Sequence, residues 1–540
     1  MQKLLLLGDE AIAQAGIDAG MSGIYAYPGT PSTEITEYVF ASKEATKKGV
    51  KANWCANEKT AAEAALGMSY AGKRTMTCMK HVGLNVAADP FINSALTGAN
   101  GGMLFVVADD PSMHSSQNEQ DSRFFGKFAM IPILEPSSQQ EAYDMVHFGF
   151  ELSEKYQVTV MIRITTRLAH SRAGVVRKQE REQNLFRLPQ DLRQFVLLPG
   201  IARKKYDKHL ELQTQFQEES VQSPFNSFQP GKDHSMGIIA CGLAYNYLME
   251  NYPDRQIPFP VVKICQYPLP HHLIEQIYDQ CDTLLVLEEG FPIVEEMLKG
   301  FLNKGKPVRG RLDGSIPMAG ELNPNSVAKA LGMEQDPTTP VPSLVVSRPP
   351  SLCKGCPHID SFIGLNEAIE AFGKGRVFSD IGCYTLSALP PYESINSCVD
   401  MGASITMAKG AADAGMSPSV AVIGDSTFTH SGMTGLLDAV NSQSNVTVII
   451  LDNATTAMTG GQPSSALNRI EEICKGLGVE EAHIRVIKPL RKNHEENTKI
   501  ILEELNYDGV SVVIPRRECI QTLNKRMRAK FKEKARNEKK

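Results

Sequence analysis

The sequence predicts an α/β protein with parallel sheets, and three observations support this fold class. Short apolar runs alternate with helical patterns along most of the chain, as in βαβ units. Several of these runs stop at Asp or Asn, and polar side chains at the carboxyl ends of parallel strands form ligand sites in open α/β sheets. With 42% hydrophobic and 22% charged residues, the 540-residue chain can build the cores of about three or four domains.

Composition and charge argue against several classes of protein. The formal net charge of −5 disfavours general nucleic-acid binding. No apolar run approaches the ~18 residues of a membrane helix, and residues 4–7 are too short for a signal-peptide core. We therefore expect a cytoplasmic protein that binds neither nucleic acid nor membrane. In that reducing compartment, the eleven cysteines are expected to be core residues or metal ligands rather than disulfides.

The region 1–185 alternates short strands with helices rich in small residues. A strand at residues 24–27 leads into a turn, where Ser32 or Thr33 is the expected N-cap of a helix. A later Ala-rich helix is expected to be capped by Asn57 and to carry Glu58 in its first turn. For Glu58, the residue pattern alone favours an interaction with the helix dipole over a catalytic role.

Two further segments of this region are expected to lie at strand ends: residues 79–85 and residues 108–111. The spacing of Ser116 and Glu119 matches a capping box and predicts that a helix starts there. Arg123 follows, and its guanidinium has the geometry to bind a carboxylate through two hydrogen bonds.

The middle of the chain carries no catalytic motif. Residues 186–232 are polar and irregular in pattern and are predicted to be a connector. A smaller α/β domain is predicted over residues 233–336. Its expected helix is 243–250, and its expected strands are 236–240, 261–264 and 283–287. A Pro-rich linker at residues 337–350 separates this domain from the last one.

The last domain contains a βαβ pattern that places polar residues at two strand ends. The strand at residues 420–423 stops at Asp425, and the strand at residues 446–451 stops at Asn453. A carboxylate and an amide oxygen side by side suit Mg²⁺. Gly460 and Gly461 would let backbone N–H groups approach a diphosphate closely. From pattern alone, an ordinary βαβ unit with polar strand ends remains open.

The cysteines of this domain include a C-x₂-C pair, Cys353 and Cys356. Such a pair occurs in zinc sites, in redox dithiols and in iron–sulfur clusters. Zinc would normally bring a second pair, which the sequence lacks, whereas single cysteines follow at Cys383 and Cys519.

These motifs together resemble the 2-oxoacid:ferredoxin oxidoreductases. Gly424, Asp425 and Ser426, followed further along the chain by Asn453, resemble the thiamine diphosphate motif, although Ser426 replaces its last glycine. The segment 452–462 is similar to that family specifically, and the similarity to its indolepyruvate type covers nearly the whole chain. The resemblance implies two thiamine diphosphate-binding folds, parallel sheets with helices on both faces. These are a pyrimidine-binding domain at 1–185 and a diphosphate-binding domain at 351–520, flanking a transketolase C-terminal-like middle domain.

The resemblance also implies roles for individual residues. Mg²⁺ would be bound by Asp425, Asn453 and the carbonyl of Thr455. Glu58 would hydrogen-bond the aminopyrimidine of the cofactor, and Thr30 and Arg123 would bind the substrate. The remaining cofactor-binding positions are Gly424, Ser426, Gly460, Gly461 and Gln462.

By the same resemblance, Cys353, Cys356, Cys383 and Cys519 would hold one 4Fe-4S cluster, with Cys398 as the alternative fourth ligand. The other six cysteines are expected in apolar cores. Related α subunits continue beyond the position of Cys519 into a domain with two further clusters, whose cysteine runs are not found here. Residues 521–540 form instead a basic tail, with nine Lys or Arg between residues 524 and 540, and we expect a solvated helix there.

The implied reaction is the oxidative decarboxylation of an aryl pyruvate to an acyl-CoA, with coenzyme A as co-substrate. Electrons would pass through the cluster to ferredoxin or to a partner subunit, within an α2β2 assembly that includes a smaller β subunit. The first alternative is a non-redox thiamine diphosphate-dependent decarboxylase that releases an aldehyde. The second is a non-catalytic subunit, which the presence of Glu58, Asp425 and Asn453 disfavours.

Overall fold

The computed structural model describes residues 3–191, 193–346 and 350–537. The chain forms two compact units, Met1–Thr339 and Pro340–Lys540. Their boundary falls inside the predicted linker, of which residues 347–349 lie outside the described residues. Both units contain largely parallel sheets joined by helices, so the predicted α/β class is confirmed. No helix among the described residues is long and apolar enough to span a membrane.

The strands of the first unit are short, and most are apolar. They are β1 (Lys3–Leu7), β2 (Gly23–Ala26), β3 (Lys51–Trp54), β4 (Thr75–Lys80), β5 (Met103–Asp109), β6 (Ile133–Leu134), β7 (Val160–Thr165), β8 (Arg172–Val176), β9 (Ser227–Gln229), β10 (Met236–Cys241), β11 (Val261–Ile264), β12 (Gln266–Tyr267), β13 (Thr283–Leu287) and β14 (Val308–Arg309).

Helices connect these strands. They are α1 (Gly8–Asp18), α2 (Thr33–Ala41), α3 (Lys43–Lys47), α4 (Glu58–Tyr70), α5 (His81–Val86), α6 (Ala88–Thr97), α7 (Arg123–Ala129), α8 (Gln139–Tyr156), α9 (Thr166–His170), α10 (Pro199–Val221), α11 (Ala244–Glu250), α12 (His271–Gln280), α13 (Ile293–Lys299) and α14 (Pro324–Leu331).

The first unit contains two larger sheets. The seven-stranded sheet has the order β12-β6-β7-β5-β4-β2-β3 and is parallel except for the β12–β6 pair. Its central strands β5 and β7 are buried at every residue, as expected for parallel strands covered on both faces. The five-stranded sheet has the order β14-β13-β10-β11-β9, with only β9 antiparallel. Strand β12 belongs to the larger sheet although it follows β11 directly.

The predicted connector at residues 186–232 contains in its central part the 23-residue helix α10, which the irregular sequence pattern did not indicate. Its sequence is rich in Lys, Glu, Gln and Leu, which have high helix propensity, and Pro199 starts it. His209 and Phe216, two turns apart, are buried, whereas most other side chains are polar. With so narrow an apolar stripe, the helix has a weak periodic signal. The predicted domain boundaries at residues 185, 232 and 520 stay predictions.

The second unit has one five-stranded parallel sheet in the order β15-β16-β17-β21-β20 and a small antiparallel pair, β18 with β19. Its strands are β15 (Val377–Ser379), β16 (Ser419–Gly424), β17 (Val446–Leu451), β18 (Thr455–Thr456), β19 (Gln462–Pro463), β20 (Ile484–Ile487) and β21 (Val510–Pro515). Its helices are α15 (Pro357–Ile369), α16 (Ala403–Asp413), α17 (Asp425–Thr427), α18 (Met433–Asn441), α19 (Ile470–Gly476), α20 (His494–Leu505) and α21 (Ile520–Asn537). The basic tail is helical as expected up to residue 537, and residues 538–540 lie outside the described residues.

Candidate functional site

In the second unit, two neighbouring strands place polar residues at one edge of the sheet. Strands β16 and β17 are paired in parallel with Gly424 opposite Leu451. They therefore end at the same level, and Asp425 and Asn453 follow within two residues of these ends. The βαβ prediction for this region is confirmed to within one residue at each strand end.

Asp425 is a buried carboxylate that lacks a cationic partner among the described residues. It is 2% exposed, and its Oδ2 atom has no hydrogen-bond partner there. Burial, and then the charge of Asp452, raise the pKa of Asp425 to about 7. Because a buried carboxylate without a partner is unfavourable, this position fits a metal cation.

The loop after β17 supplies further oxygen atoms, and its two glycines leave the backbone accessible to a ligand. Asn453 Oδ1 accepts a hydrogen bond from the Thr455 amide at 3.1 Å, and the Thr455 hydroxyl donates to the Gln462 carbonyl at 2.9 Å. The Ser426 hydroxyl contacts the Thr456 hydroxyl at 2.8 Å. Gly460 and Gly461 have φ angles of 119° and 89°, which residues with a Cβ rarely adopt. These features fit Mg²⁺ and a diphosphate.

Four cysteines line one cavity of about 750 Å³ in the second unit: Cys353, Cys356, Cys383 and Cys519. Asn453, Gly460 and Gly461 line the same cavity. Burial, followed by the neighbouring thiols of the other three cysteines, raises the pKa of Cys383 to about 12. The chemistry of four converging thiols fits the predicted 4Fe-4S cluster.

Cys398 has a different environment. It is exposed and does not line this cavity. Its neighbours are Thr385 and Asp380 rather than the other cysteines. The geometry therefore groups Cys519, and not Cys398, with the other three.

His358 is a residue that the sequence reasoning did not select. It is 3% exposed and lies two residues after Cys356, and its Nε2 atom is 3.2 Å from Asn453 Nδ2. Burial lowers the pKa of His358 to about 4, so its imidazole is neutral at neutral pH. The ring thus lines the same cavity as the cysteine pair and contacts the predicted metal ligand. The proximity of His358 to Cys356 in the sequence is the only signal that could have indicated this.

In the first unit, Glu58 is the first residue of α4 and is 5% exposed. The expected cap is confirmed, because the Asn57 side chain accepts a hydrogen bond from the Thr60 amide at 2.9 Å. Helix α5 passes close to the carboxylate, since a Cβ on Gly83 would lie 2.6 Å from Glu58 Oε1. Gly83 therefore allows the backbone to approach this acid.

Thr30 lies in the turn after β2, and its carbonyl accepts a hydrogen bond from the Ser115 hydroxyl at 3.2 Å. Asp110, which follows β5, accepts from the Ser115 amide at 2.8 Å and from the Ser116 hydroxyl at 2.7 Å. The predicted helix start at Ser116 is therefore wrong: its hydroxyl binds Asp110 instead of capping a helix. Helix α7 begins at Arg123.

Arg123 is fully buried inside the first unit. Its guanidinium contacts Asp121 at 2.5 Å and Glu288 at 3.1 Å, and it donates to the Phe291 carbonyl at 2.9 Å. Burial acts to lower the pKa of Arg123, but Asp121 and further acidic groups raise it above its usual value, so the guanidinium stays charged. Its guanidinium is thus paired with acids and a backbone carbonyl of the first unit, and the substrate role of Arg123 stays a prediction.

Two family models match the regions that carry these residues. The model of the pyruvate flavodoxin/ferredoxin oxidoreductase thiamine diphosphate-binding domain matches residues 14–196. The model of the C-terminal thiamine pyrophosphate-binding domain of thiamine pyrophosphate enzymes matches residues 380–514. The first match contains Thr30 and Glu58, and the second contains Asp425 and Asn453.

Similar proteins cover almost the whole chain. The indolepyruvate oxidoreductase subunit IorA of Archaeoglobus fulgidus is 40% identical over 96% of this chain and 86% of its own length. The IorA subunit of Pyrococcus abyssi is 39% identical with the same coverage. Among solved structures, 2-oxoglutarate:ferredoxin oxidoreductase from Magnetococcus marinus matches with a TM-score of 0.50 and 17% identity, over 61% of this chain and 65% of that one. That last similarity concerns the fold alone.

Proposed function

This chain belongs to the IorA family of indolepyruvate oxidoreductases, and on that premise we propose that it converts an aryl pyruvate such as indolepyruvate into an acyl-CoA. The family activity is that of a thiamine diphosphate-dependent 2-oxoacid:ferredoxin oxidoreductase. The observation that carries the proposal is the cavity that four cysteines share with Asn453, Gly460 and Gly461. A cluster held there would lie beside the diphosphate loop, where it could accept electrons from the oxidised substrate.

The residues of the second unit would hold the cofactor by its diphosphate. Asp425 Oδ2, Asn453 and the Thr455 carbonyl would bind Mg²⁺. Gly424, Ser426, Gly460, Gly461 and Gln462 would surround the phosphates. When bound, thiamine diphosphate supplies the electron sink that decarboxylation of a 2-oxoacid requires.

The residues of the first unit would act on the other end of the cofactor and on the substrate. Glu58 would hold a proton between its carboxylate and a ring nitrogen of the aminopyrimidine, which requires a largely buried acid. Thr30 would orient the substrate. The hydrogen bond from the cofactor to the Glu58 carboxylate would be strongest where water is excluded. The backbone of Gly83 lies close to this carboxylate and excludes water on that side.

The four cysteines would serve as thiolate ligands of one 4Fe-4S cluster. Cys353 is exposed, whereas Cys356 and Cys519 are buried, so the cluster would have one side near the surface. That side would pass electrons to ferredoxin or to a partner subunit. We further propose an α2β2 assembly with a smaller β subunit, and coenzyme A as the acceptor of the acyl group.

The test is the iron and acid-labile sulfide content of the full chain purified without oxygen, combined with a turnover assay of its complex with the β subunit. We expect about four of each per chain and reduction of a viologen dye that depends on both indolepyruvate and coenzyme A. Zinc in place of iron, with an aldehyde as product, would overturn the electron-transfer step. It would point instead to a non-redox decarboxylase.

A further inference from the structure

Three neighbouring parallel strands of the first unit bring together residues at or just beyond their carboxyl ends. Strand β4 lies between β2 and β5, with Cys78 opposite Ala26 and Lys80 opposite Ala108. The carboxyl ends of these strands lead to Thr30, Lys80 and Asp110 respectively. Such an edge is where open α/β sheets bind ligands. Lys80 is therefore at the centre of the predicted substrate side of the site.

The contacts of Lys80 fix its side chain in this position. Its stem packs on the turn that carries Thr30, because a Cβ on Gly29 would lie 3.3 Å from the Lys80 Cγ and Cδ atoms. Its ammonium donates to the Ser115 carbonyl at 3.2 Å, and the Ser115 hydroxyl in turn donates to the Thr30 carbonyl. The ammonium has three N–H donors, and among the described residues only the Ser115 carbonyl accepts a hydrogen bond from it.

The charge of Lys80 is not neutralised by a direct ion pair. Among the described residues, no ion pair within 4.0 Å includes its ammonium. Burial lowers the pKa of Lys80, while Asp110 and Glu58 act in the opposite direction, so both acids are near it. Asp110 is already bound by the Ser115 amide and the Ser116 hydroxyl. The ammonium is thus held close to the site, and two of its N–H donors can still bind a ligand.

A 2-oxoacid is an anion and needs a cation in a site that also contains Glu58 and Asp110. Arg123 cannot readily provide it, since its guanidinium is fully buried among Asp121 and Glu288. We propose that Lys80 binds the carboxylate of the 2-oxoacid by a charge-assisted hydrogen bond, next to Thr30. This inference rests on the proposed function and assigns its substrate contact to a residue that no sequence motif indicated.

The test uses the full chain loaded with thiamine diphosphate and Mg²⁺, without an electron acceptor. Binding of indolepyruvate is measured by calorimetry for the wild type, Lys80→Met and Lys80→Arg. Loss of one charge-assisted hydrogen bond is expected to weaken binding about 10- to 100-fold in Lys80→Met, with partial recovery in Lys80→Arg. Affinity for thiamine diphosphate should not change.

A matched control and a neutral ligand separate a binding role from a structural one. Lys73 is also half-buried and also donates to a backbone carbonyl, that of Asn184, so Lys73→Met should leave indolepyruvate binding unchanged. The methyl ester of indolepyruvate lacks the carboxylate charge. The wild type should prefer the acid to the ester, whereas Lys80→Met should bind both alike.

The outcomes decide the two proposals separately. Equal affinity of the wild type and Lys80→Met for indolepyruvate would overturn the role of Lys80, whatever the turnover assay shows, as would an absence of binding to both proteins. Binding by the wild type without acceptor-dependent turnover would overturn the proposed function. In that case the comparison of the acid with the ester would still decide the role of Lys80.

Discussion

Buried charges occur in both units, and their surroundings differ. In the first unit, two arginines and four acids form what we call the paired cluster: Arg123, Arg163, Asp109, Asp121, Glu135 and Glu288. Each of its acids contacts a guanidinium, for example Asp109 with Arg163 at 2.7 Å. In the second unit, Asp425 is equally buried, yet no cation of the described residues reaches it, and its charged neighbour is Asp452.

Burial of a charge therefore does not by itself identify a binding site. Both groups lie at or near the carboxyl ends of parallel strands, where a site is expected. In the paired cluster the charges satisfy one another, which favours a structural role. At Asp425 no cation of the described residues is in reach, which favours the proposed metal site. The following substitutions test that distinction, beginning with the largest expected effect.

The first substitution removes one of the converging thiols. Cys519→Ser should abolish the cluster, because a 4Fe-4S cluster needs its four thiolates. Iron per chain should fall from about four toward zero in protein prepared without oxygen. Cys398→Ser is the matched control and should retain its iron, since Cys398 lies outside the cavity. The reverse result would make Cys398 the fourth ligand.

The second substitution changes a buried acid of the first unit that lies outside the paired cluster. Glu58→Gln keeps the size of the side chain but cannot take or release a proton. We expect kcat to fall by about 10²- to 10⁴-fold while thiamine diphosphate still binds, which calorimetry can measure. Activity equal to that of the wild type would remove Glu58 from the mechanism and place it with the structural charges.

The third substitution breaks the paired cluster itself. Arg123→Met leaves Asp121 and Glu288 buried without their guanidinium, and such a loss costs about 3–5 kcal/mol. The free energy of unfolding can be followed in urea by the fluorescence of Trp54, the one tryptophan, which lies in β3 of the first unit. An unchanged stability together with weaker binding of indolepyruvate would restore Arg123 as a substrate ligand.

The smallest expected effect concerns Asp9 in α1, a buried acid of the first unit that the paired cluster does not include. It is 0% exposed, and neither of its carboxylate oxygens has a hydrogen-bond partner among the described residues. Burial, with smaller effects of Glu34 and Glu10, raises the pKa of Asp9 well above its usual value. The folded protein then holds a proton that the unfolded chain releases above about pH 4.

Stability should therefore fall as the pH rises from that value toward the folded-state pKa of Asp9. Asp9→Asn removes the carboxylate and should remove this part of the pH dependence. At neutral pH we expect a gain of about 1–3 kcal/mol in the free energy of unfolding. Urea unfolding at pH 5 and at pH 8 measures the difference, and an equal loss of stability at both values would contradict it.

Much of the fold could be predicted because apolar strands in parallel sheets are easy to recognise. The strands at residues 261–264, 283–287 and 446–451 have the predicted bounds. The βαβ pattern also placed Asp425 and Asn453 correctly at adjacent strand ends. These features depend on local sequence and on the rules of parallel pairing.

What could not be predicted depends on contacts between distant segments. The sequence around Ser116 matches a helix cap, but the Ser116 hydroxyl donates its hydrogen bond to Asp110 instead. Arg123 looks like a free guanidinium, but Glu288, which follows a strand of the other large sheet, pairs with it. Lys80 carries no motif, and it becomes a candidate only because three strands bring Thr30, Asp110 and Lys80 to one edge.

The pairing of β12 with β6 has a consequence for synthesis on the ribosome. Gln266 pairs with Leu134. Because Leu134 comes earlier in the chain, it leaves the ribosome long before Gln266 does. At translation rates of ~5–20 residues per second, the nascent first sheet waits on the order of ten seconds with that edge open. An open strand edge can pair with another chain during that interval. We therefore expect the nascent first sheet to be most open to pairing with another chain until Gln266 has left the ribosome.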